Sequence, residues 1–135
     1  MKNIKIFIFI VSLFFFSNIF AQNADIQNVI NKKVLTHQVY FWLKPKLSEA
    51  QIVKFEKGLK SLLTIKTVKY GAIGKPANTP KRDVIDNTYS YALTLMYEDV
   101  AGHDTYQIDA IHEKFLKDCR KFWTKVKVYD SESVK

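Results

Sequence analysis

VLTHQVYFWL, Val34 to Leu43, is the stretch on which the fold turns. It is rich in β-branched and aromatic residues, which suit a pleated strand. Leu35, His37, Val39, Phe41 and Leu43 fall on one face. Thr36, Gln38, Tyr40 and Trp42 fall on the other, because side chains alternate along a strand. The second face is partly aromatic, so it also calls for cover. Pro45 ends the strand. Working outward, Ser48 followed three residues later by Gln51 is a capping-box pattern that starts a helix. Ile52, Phe55, Leu59 and Leu62 recur at intervals of three or four and make one apolar stripe, while Lys54, Glu56, Lys57 and Lys60 lie off it.

Thr64 to Ile73 reads as a second strand, ended by Gly74 and Pro76. The segment from Gly74 to Asn87 is long for a connection within a small domain, and such loops are usually functional or mobile. Thr88 to Tyr97 reads as a third strand with Tyr89, Tyr91, Leu93, Leu95 and Tyr97 on one face. Glu98 and Asp99 place negative charge where a helix N-terminus favours it. Val100 to Tyr106 and Ala110 to Trp123 read as helical, with an irregularity near Asp109. His112, Phe115, Leu116, Cys119, Phe122 and Trp123 form the apolar side of the second piece. Lys114, Lys117, Arg120 and Lys121 form its solvated side. Thr124 to Tyr129 closes the series as a fourth strand with Val126 and Val128 inward, and residues 131–135 read as a frayed tail. The order βαββαβ, with right-handed crossovers, predicts an α+β ferredoxin-like domain over 34–130. It is a four-stranded antiparallel sheet with two helices on one face. Tyr40 and Trp42 on the other face predict a second copy packed there, a homodimer.

The first residues point to export. Lys2 and Lys5 precede an apolar run from Ile6 to Phe16, and Ala21 offers a small residue for cleavage. This is the layout of a secretory signal over 1–21, and it is short for a membrane span. Residues 22–33 read as a leader. Cleavage leaves no stable membrane anchor and a periplasmic or secreted protein. The chain has 135 residues with 21 Lys and Arg against 13 Asp and Glu, a formal charge of +8 that the loss of Lys2 and Lys5 lowers by two. An exported location makes nucleic acid an unsuitable partner for this charge. Solubility or an anionic ligand fits better. Cys119 is the one cysteine, so no intramolecular disulfide is available and stability rests on packing. There is no phosphate loop, dinucleotide fingerprint or Ser-His-Asp arrangement.

Leu35–Leu43 with His37, the block Tyr89–Asp99, Tyr106 with Gln107, His112, and Phe122–Trp123 running into Val126–Asp130 together resemble the stress-responsive dimeric α/β-barrel (Dabb) family. The likeness covers Val34 to Asp130. YQIDAIH, Tyr106 to His112, is similar to the family's Tyr-x-x-His-Pro-x-His signature, with Asp109 in place of the first His and Ala110 in place of the Pro. The resemblance implies ferredoxin-like subunits whose sheets join into a dimeric barrel. One family member, the plant olivetolic acid cyclase, is similar through the second half of the chain without a gap. That likeness implies His112 as catalytic base, Tyr106 as its assistant and His37 as pocket lining. Tyr91 stands where that enzyme has a second pocket histidine. Other members hold a metal through backbone groups after the first helix. That segment is shorter here, and neither a metal nor another cofactor is expected.

The chemistry of these residues is clear enough to test. An imidazole with an ordinary pKa of about 6.5 takes up an acidic C–H or O–H proton near neutral pH. A tyrosine hydroxyl beside it would orient it or stabilise a developing enolate. The simpler alternative for both His37 and His112 is a hydrogen-bonded core histidine. His37, Val39, Phe41, Tyr91, Leu93 and Phe115 are the candidate substrate-binding residues, since all project from inward faces. A metal site from His37, Asp109 and His112 is not favoured, because no His-x-His or His-x₃-His spacing is present. Asp109 fits a helix cap better. His103 is placed at water or the pocket mouth, and Cys119 reads as a small buried hydrophobe. These observations lead to an exported homodimer with a small-molecule pocket, acting on a small carbonyl or sugar-derived compound by histidine-assisted proton transfer. The alternative is a non-catalytic, stress-related or ligand-binding oligomer.

Overall fold

The alternation in Leu35–Leu43 becomes β1, an interior strand of the sheet. A computed structural model describes residues 33–134. The expected signal sequence and the leader up to residue 32 lie outside the described residues. After β1 come α1 (Glu49–Leu62), β2 (Tyr70–Gly74), β3 (Tyr91–Tyr97), α2 (Val100–Gln107) and α3 (Ala110–Cys119). A single 3₁₀ turn (Arg120–Phe122) leads into β4 (Trp123–Glu132). The sheet order is β2-β3-β1-β4, and every neighbouring pair is antiparallel. This is the ferredoxin-like arrangement of two βαβ crossovers.

One face of the sheet carries the core. Leu35, His37, Val39 and Phe41 of β1 and Tyr91, Leu93, Leu95 and Tyr97 of β3 are all buried there. Phe55, Leu59 and Leu62 of α1 and Phe115 and Cys119 of α3 pack down onto them. Each such side chain contributes roughly 1.5–3 kcal/mol on burial. Phe55 sits at the centre of an aromatic cluster with ring centroids 5.4 Å from Phe41, 5.3 Å from Tyr91, 6.0 Å from Phe115 and 6.1 Å from Trp123. The helix start is as the sequence indicates. Ser48 Oγ accepts from Gln51 N–H, and Gln51 Oε1 accepts from Ser48 N–H at 2.8 Å.

Gly58 sets the spacing between α1 and α3. A Cβ there would lie 2.9 Å from Phe115 Cδ2 and 3.0 Å from Cys119 Sγ. Alanine in a helix interior normally gains about 1 kcal/mol over glycine. Overpacking a filled interior costs about 1–3 kcal/mol, and here the obstacle is a buried aromatic ring. Gly58→Ala is therefore expected to lower stability, by up to about 2 kcal/mol after the two effects offset. A urea titration reads this, and an unchanged or raised midpoint would show that α3 gives way freely.

Four details depart from the sequence reading. The second strand begins at Tyr70, not Thr64. The Ser61 hydroxyl donates to Gly58 O and the Thr64 hydroxyl to Ser61 O, both at 2.7 Å, and turns close at Thr64 and Val68. These local bonds outcompete a strand for the backbone, while Ile65 still reaches the core. Tyr89 does not share the face of Tyr91. The ladder begins only at Tyr91, Ser90 N–H bonds Phe41 O at 2.7 Å, and the Tyr89 ring lies 5.0 Å from Tyr40 and 6.4 Å from Trp42 on the opposite face. The final helical stretch breaks near Asp109 as expected, but its second piece ends at Cys119 and not at Trp123, which opens β4. Asp109 Oδ1 accepts from Ile111 N–H at 2.8 Å and starts α3 anew. Last, β4 continues past Tyr129, and Asp130, Ser131 and Glu132 pair with His37, Thr36 and Leu35. The early part of β1 needs backbone partners on that side, and the segment read as a tail supplies them.

Candidate functional site

The helices cover β1 and β3 but leave the edge strand β4 bare. Val126 and Val128 pair with Phe41 and Val39 and so belong to the inner face, yet they are 40% and 47% exposed. A cleft of about 210 Å³ opens between this edge and α3. His37, Val39, Phe41, Leu93 and Tyr106 line it, with His112 and Phe115 from the α2–α3 side and Arg120 also on its wall. Of the eight residues singled out from the sequence, the structure brings seven into this cleft. Tyr91 is set apart. Its hydroxyl donates to Glu56 on α1, and Lys75 stands 4.8 Å over its ring and 3.1 Å from Glu56. The ring of Phe55 packs against both Tyr91 and the cleft-lining Phe41.

The chain turn between α2 and α3 orients His112. The last carbonyls of a helix lack partners within it. Gln107 ends α2, and its carbonyl oxygen lies 2.9 Å from His112 Nδ1. A carbonyl only accepts, so His112 Nδ1 carries the proton and donates. In the neutral ring Nε2 then holds the lone pair, the form a general base needs. The Tyr106 ring lies 4.6 Å from that of His112. Tyr106 is 1% exposed, and burial pushes its hydroxyl pKa well above the ordinary tyrosine range. It therefore stays protonated, able to donate a hydrogen bond to an oxyanion but not to act as a base.

All three histidines of the chain gather around Tyr106. Ring centroids lie 5.9 Å away for His37 and 6.4 Å for His103. His37 is buried and paired across the sheet with Asp130, whose Oδ1 lies 2.6 Å from His37 Nδ1. Burial lowers the His37 pKa, although the hydrogen bond and charge of Asp130 pull the other way. His103 is half-buried, with its ring 5.1 Å from that of His37, so it faces the interior cluster more than water. Its Nε2 accepts from the Gln107 side-chain amide at 2.8 Å. Gln107 thus holds His112 by its backbone and His103 by its side chain.

Asp130, Gln107 and Arg120 were given no place in a site by the sequence, and His103, expected at water or the pocket mouth, lies against His37. Asp130 had a faint signal. It lies an even number of positions from Val126 and Val128, so extending the fourth strand by one residue puts it on their face. His103 had none, because its approach to His37 depends on how α2 crosses the sheet. Cys119 is buried as expected, and burial pushes its thiol pKa up, away from the reactive thiolate.

The sequence matches the stress responsive A/B barrel domain over residues 35–133. The chain belongs to the Dabb family. Solved structures similar to this Dabb protein share its fold. A Dabb family protein with a ferredoxin-like fold from Mesorhizobium loti is 21% identical, covering 77% of this chain and 100% of its own, with a TM-score of 0.62. The hydroxynitrile lyase of Passiflora edulis is 19% identical, covering 76% of this chain and 94% of its own, with a TM-score of 0.65. A dimeric ferredoxin-like protein of unknown function from Thermobifida fusca is 16% identical, covering 75% and 92%, with a TM-score of 0.60. A comparison with curated protein sequences finds no match.

Proposed function

We propose that this Dabb protein is an exported homodimer that binds a small carbonyl compound in the histidine cleft and moves a proton on it, with His112 as base. The observation that carries this reading is the His112–Gln107 hydrogen bond. It spends the Nδ1 proton on a carbonyl and leaves Nε2 as the acceptor beside Tyr106, in a mainly apolar cleft. In such a site Nε2 would take a proton from a carbon or hydroxyl next to a carbonyl, and the Tyr106 hydroxyl would donate to the oxygen that gains charge. His37 and the apolar side chains of Val39, Phe41, Leu93 and Phe115 would hold the substrate's body. Arg120 on the cleft wall adds a positive charge that favours substrates bearing a carboxylate. Sugar-derived keto acids suit both this charge and an exported location. A lyase with this fold that acts on hydroxynitriles is consistent with proton-transfer chemistry in the same architecture.

A thermal-shift panel of keto acids, sugar acids and phenols tests the reading, run on the protein and on His112→Gln, which keeps a donor for the Gln107 carbonyl. A compound that raises the melting temperature of the native protein, and clearly less that of the variant, is the expected result. If nothing in the panel stabilises the native protein, the non-catalytic oligomer becomes the better reading.

The dimer has its own support. Tyr40 on the outer sheet face is in ring contact with Tyr89 and Tyr129, and Trp42 with Tyr89. These rings, with Asp86 and Lys127, border a cleft of about 290 Å³. Similar structures are described as dimeric. Joining two such faces would remove this aromatic surface from water. Tyr40→Glu, which puts a charge at the centre of that face, is expected to give a monomer in light scattering. A dimer of unchanged strength would place the interface elsewhere.

A further inference from the structure

We infer that His37, His103 and Asp130 form a binding site for one divalent transition-metal ion, adjoining the histidine cleft through His37. The three residues come from β1, α2 and β4. One ring nitrogen from each histidine and one carboxylate oxygen of Asp130 lie within 4.8 Å of one another. Ligand atoms around a tetrahedral zinc ion, with bonds of about 2.0–2.1 Å, stand roughly 3.4 Å apart. The widest gap must therefore close by about an ångström or somewhat more. The 2.6 Å contact between His37 and Asp130 must instead open, which Asp130 allows because its side chain is nearly half exposed, and His103 Nε2 must release the Gln107 amide if that nitrogen is the ligand. If the metal binds His37 Nδ1, it replaces the hydrogen bond to Asp130 and the imidazole proton moves to Nε2.

Beside this geometry, an orphaned polar group favours an ion over a simple ion pair. The Tyr97 hydroxyl is buried without any hydrogen-bond partner. The Tyr97 ring lies 5.5 Å from His103 and 6.4 Å from His37. A buried hydroxyl left unpaired costs about 1–3 kcal/mol. A water on the metal would give it a partner. Two histidines and one carboxylate leave coordination positions open, the pattern of catalytic sites and not of closed structural ones. His37 also lines the cleft, so an open position would face the space in which His112 stands. The inference does not depend on the proposed proton transfer, because metal uptake is read without substrate.

The test uses the untagged protein with Zn²⁺ in a calorimetric titration and Co²⁺ by visible absorption. Expected are uptake of one Zn²⁺ per chain and a cobalt d–d spectrum showing histidine ligation. His103→Gln and Asp130→Asn should each weaken Zn²⁺ binding by at least about tenfold. Neither side chain is deeply buried, and circular dichroism checks that both variants fold. His112→Gln, outside the cluster, should bind as the native protein does. Absence of saturable one-per-chain uptake overturns the inference. So does a smaller loss in either ligand variant, which would mean that Zn²⁺ sits on other surface groups. Loss of ligand binding in His112→Gln with intact Zn²⁺ uptake would separate this site from the proposed catalytic one.

Discussion

Phe55→Ala is expected to lower the stability of the fold by about 3–5 kcal/mol. Phe55 is fully buried on α1, and its ring touches four other aromatic side chains that come from β1, β3, α3 and the start of β4. Truncation removes the transfer free energy of a phenyl ring and leaves a cavity. These neighbours cannot close it, because each is anchored in a different element. Small domains are stable by only about 5–15 kcal/mol, so much of the margin would go. Trp123 lies in the same cluster, and its fluorescence during urea unfolding reports the change directly. Phe55→Leu should cost clearly less, since it refills part of the volume. A loss below about 1 kcal/mol for the alanine variant would mean that α1 packs on the sheet in another way.

The second large effect concerns chemistry. With a keto acid that binds in the thermal-shift panel, His112→Gln is expected to slow exchange of the α-hydrogen for deuterium by about 10²–10⁴-fold. Proton NMR in D₂O follows this exchange without knowledge of the full reaction. Tyr106→Phe should also slow it, by about 10²–10³-fold, if its hydroxyl stabilises the enolate oxygen. The two variants fail differently in a bound complex. Glutamine at 112 removes the acceptor but keeps the Gln107 contact, while phenylalanine at 106 keeps the packing and removes one donor. Equal rates in the native protein and His112→Gln would make His112 a structural residue of the α2–α3 turn. His37 would then be the next base to consider, held by Asp130 as His112 is by Gln107.

Most of the fold was legible residue by residue. The two periods, two in Leu35–Leu43 and three to four in Ile52–Leu62, are imposed by backbone geometry and survive any tertiary context that buries one face. Caps are equally local. Ser48 with Gln51 and Asp109 with Ile111 satisfy backbone groups within a few residues, so their outcome needed no knowledge of the rest of the chain. Element edges were less legible where local hydroxyl bonds compete with a ladder, as at Ser61 and Thr64, or where a partner strand extends a ladder, as at Asp130. Family membership followed from YQIDAIH and its flanks, because a signature on one turn keeps its spacing in the folded chain.

The site divides in the same way. The sequence by itself determined that Tyr106 and His112 belong to one turn, that His37 shares a face with Val39 and Phe41, and that Asp109 caps a helix. These are short-range relations. Only the tertiary structure decided that Tyr91 turns to Glu56, that Asp130 meets His37, and that His103 joins them. Those contacts span 35, 93 and 66 residues of chain. Strand register and the path of α2 over the sheet set them. Register follows from the sum of many side-chain pairings along β1, β3 and β4, and no single residue among them announces its partner.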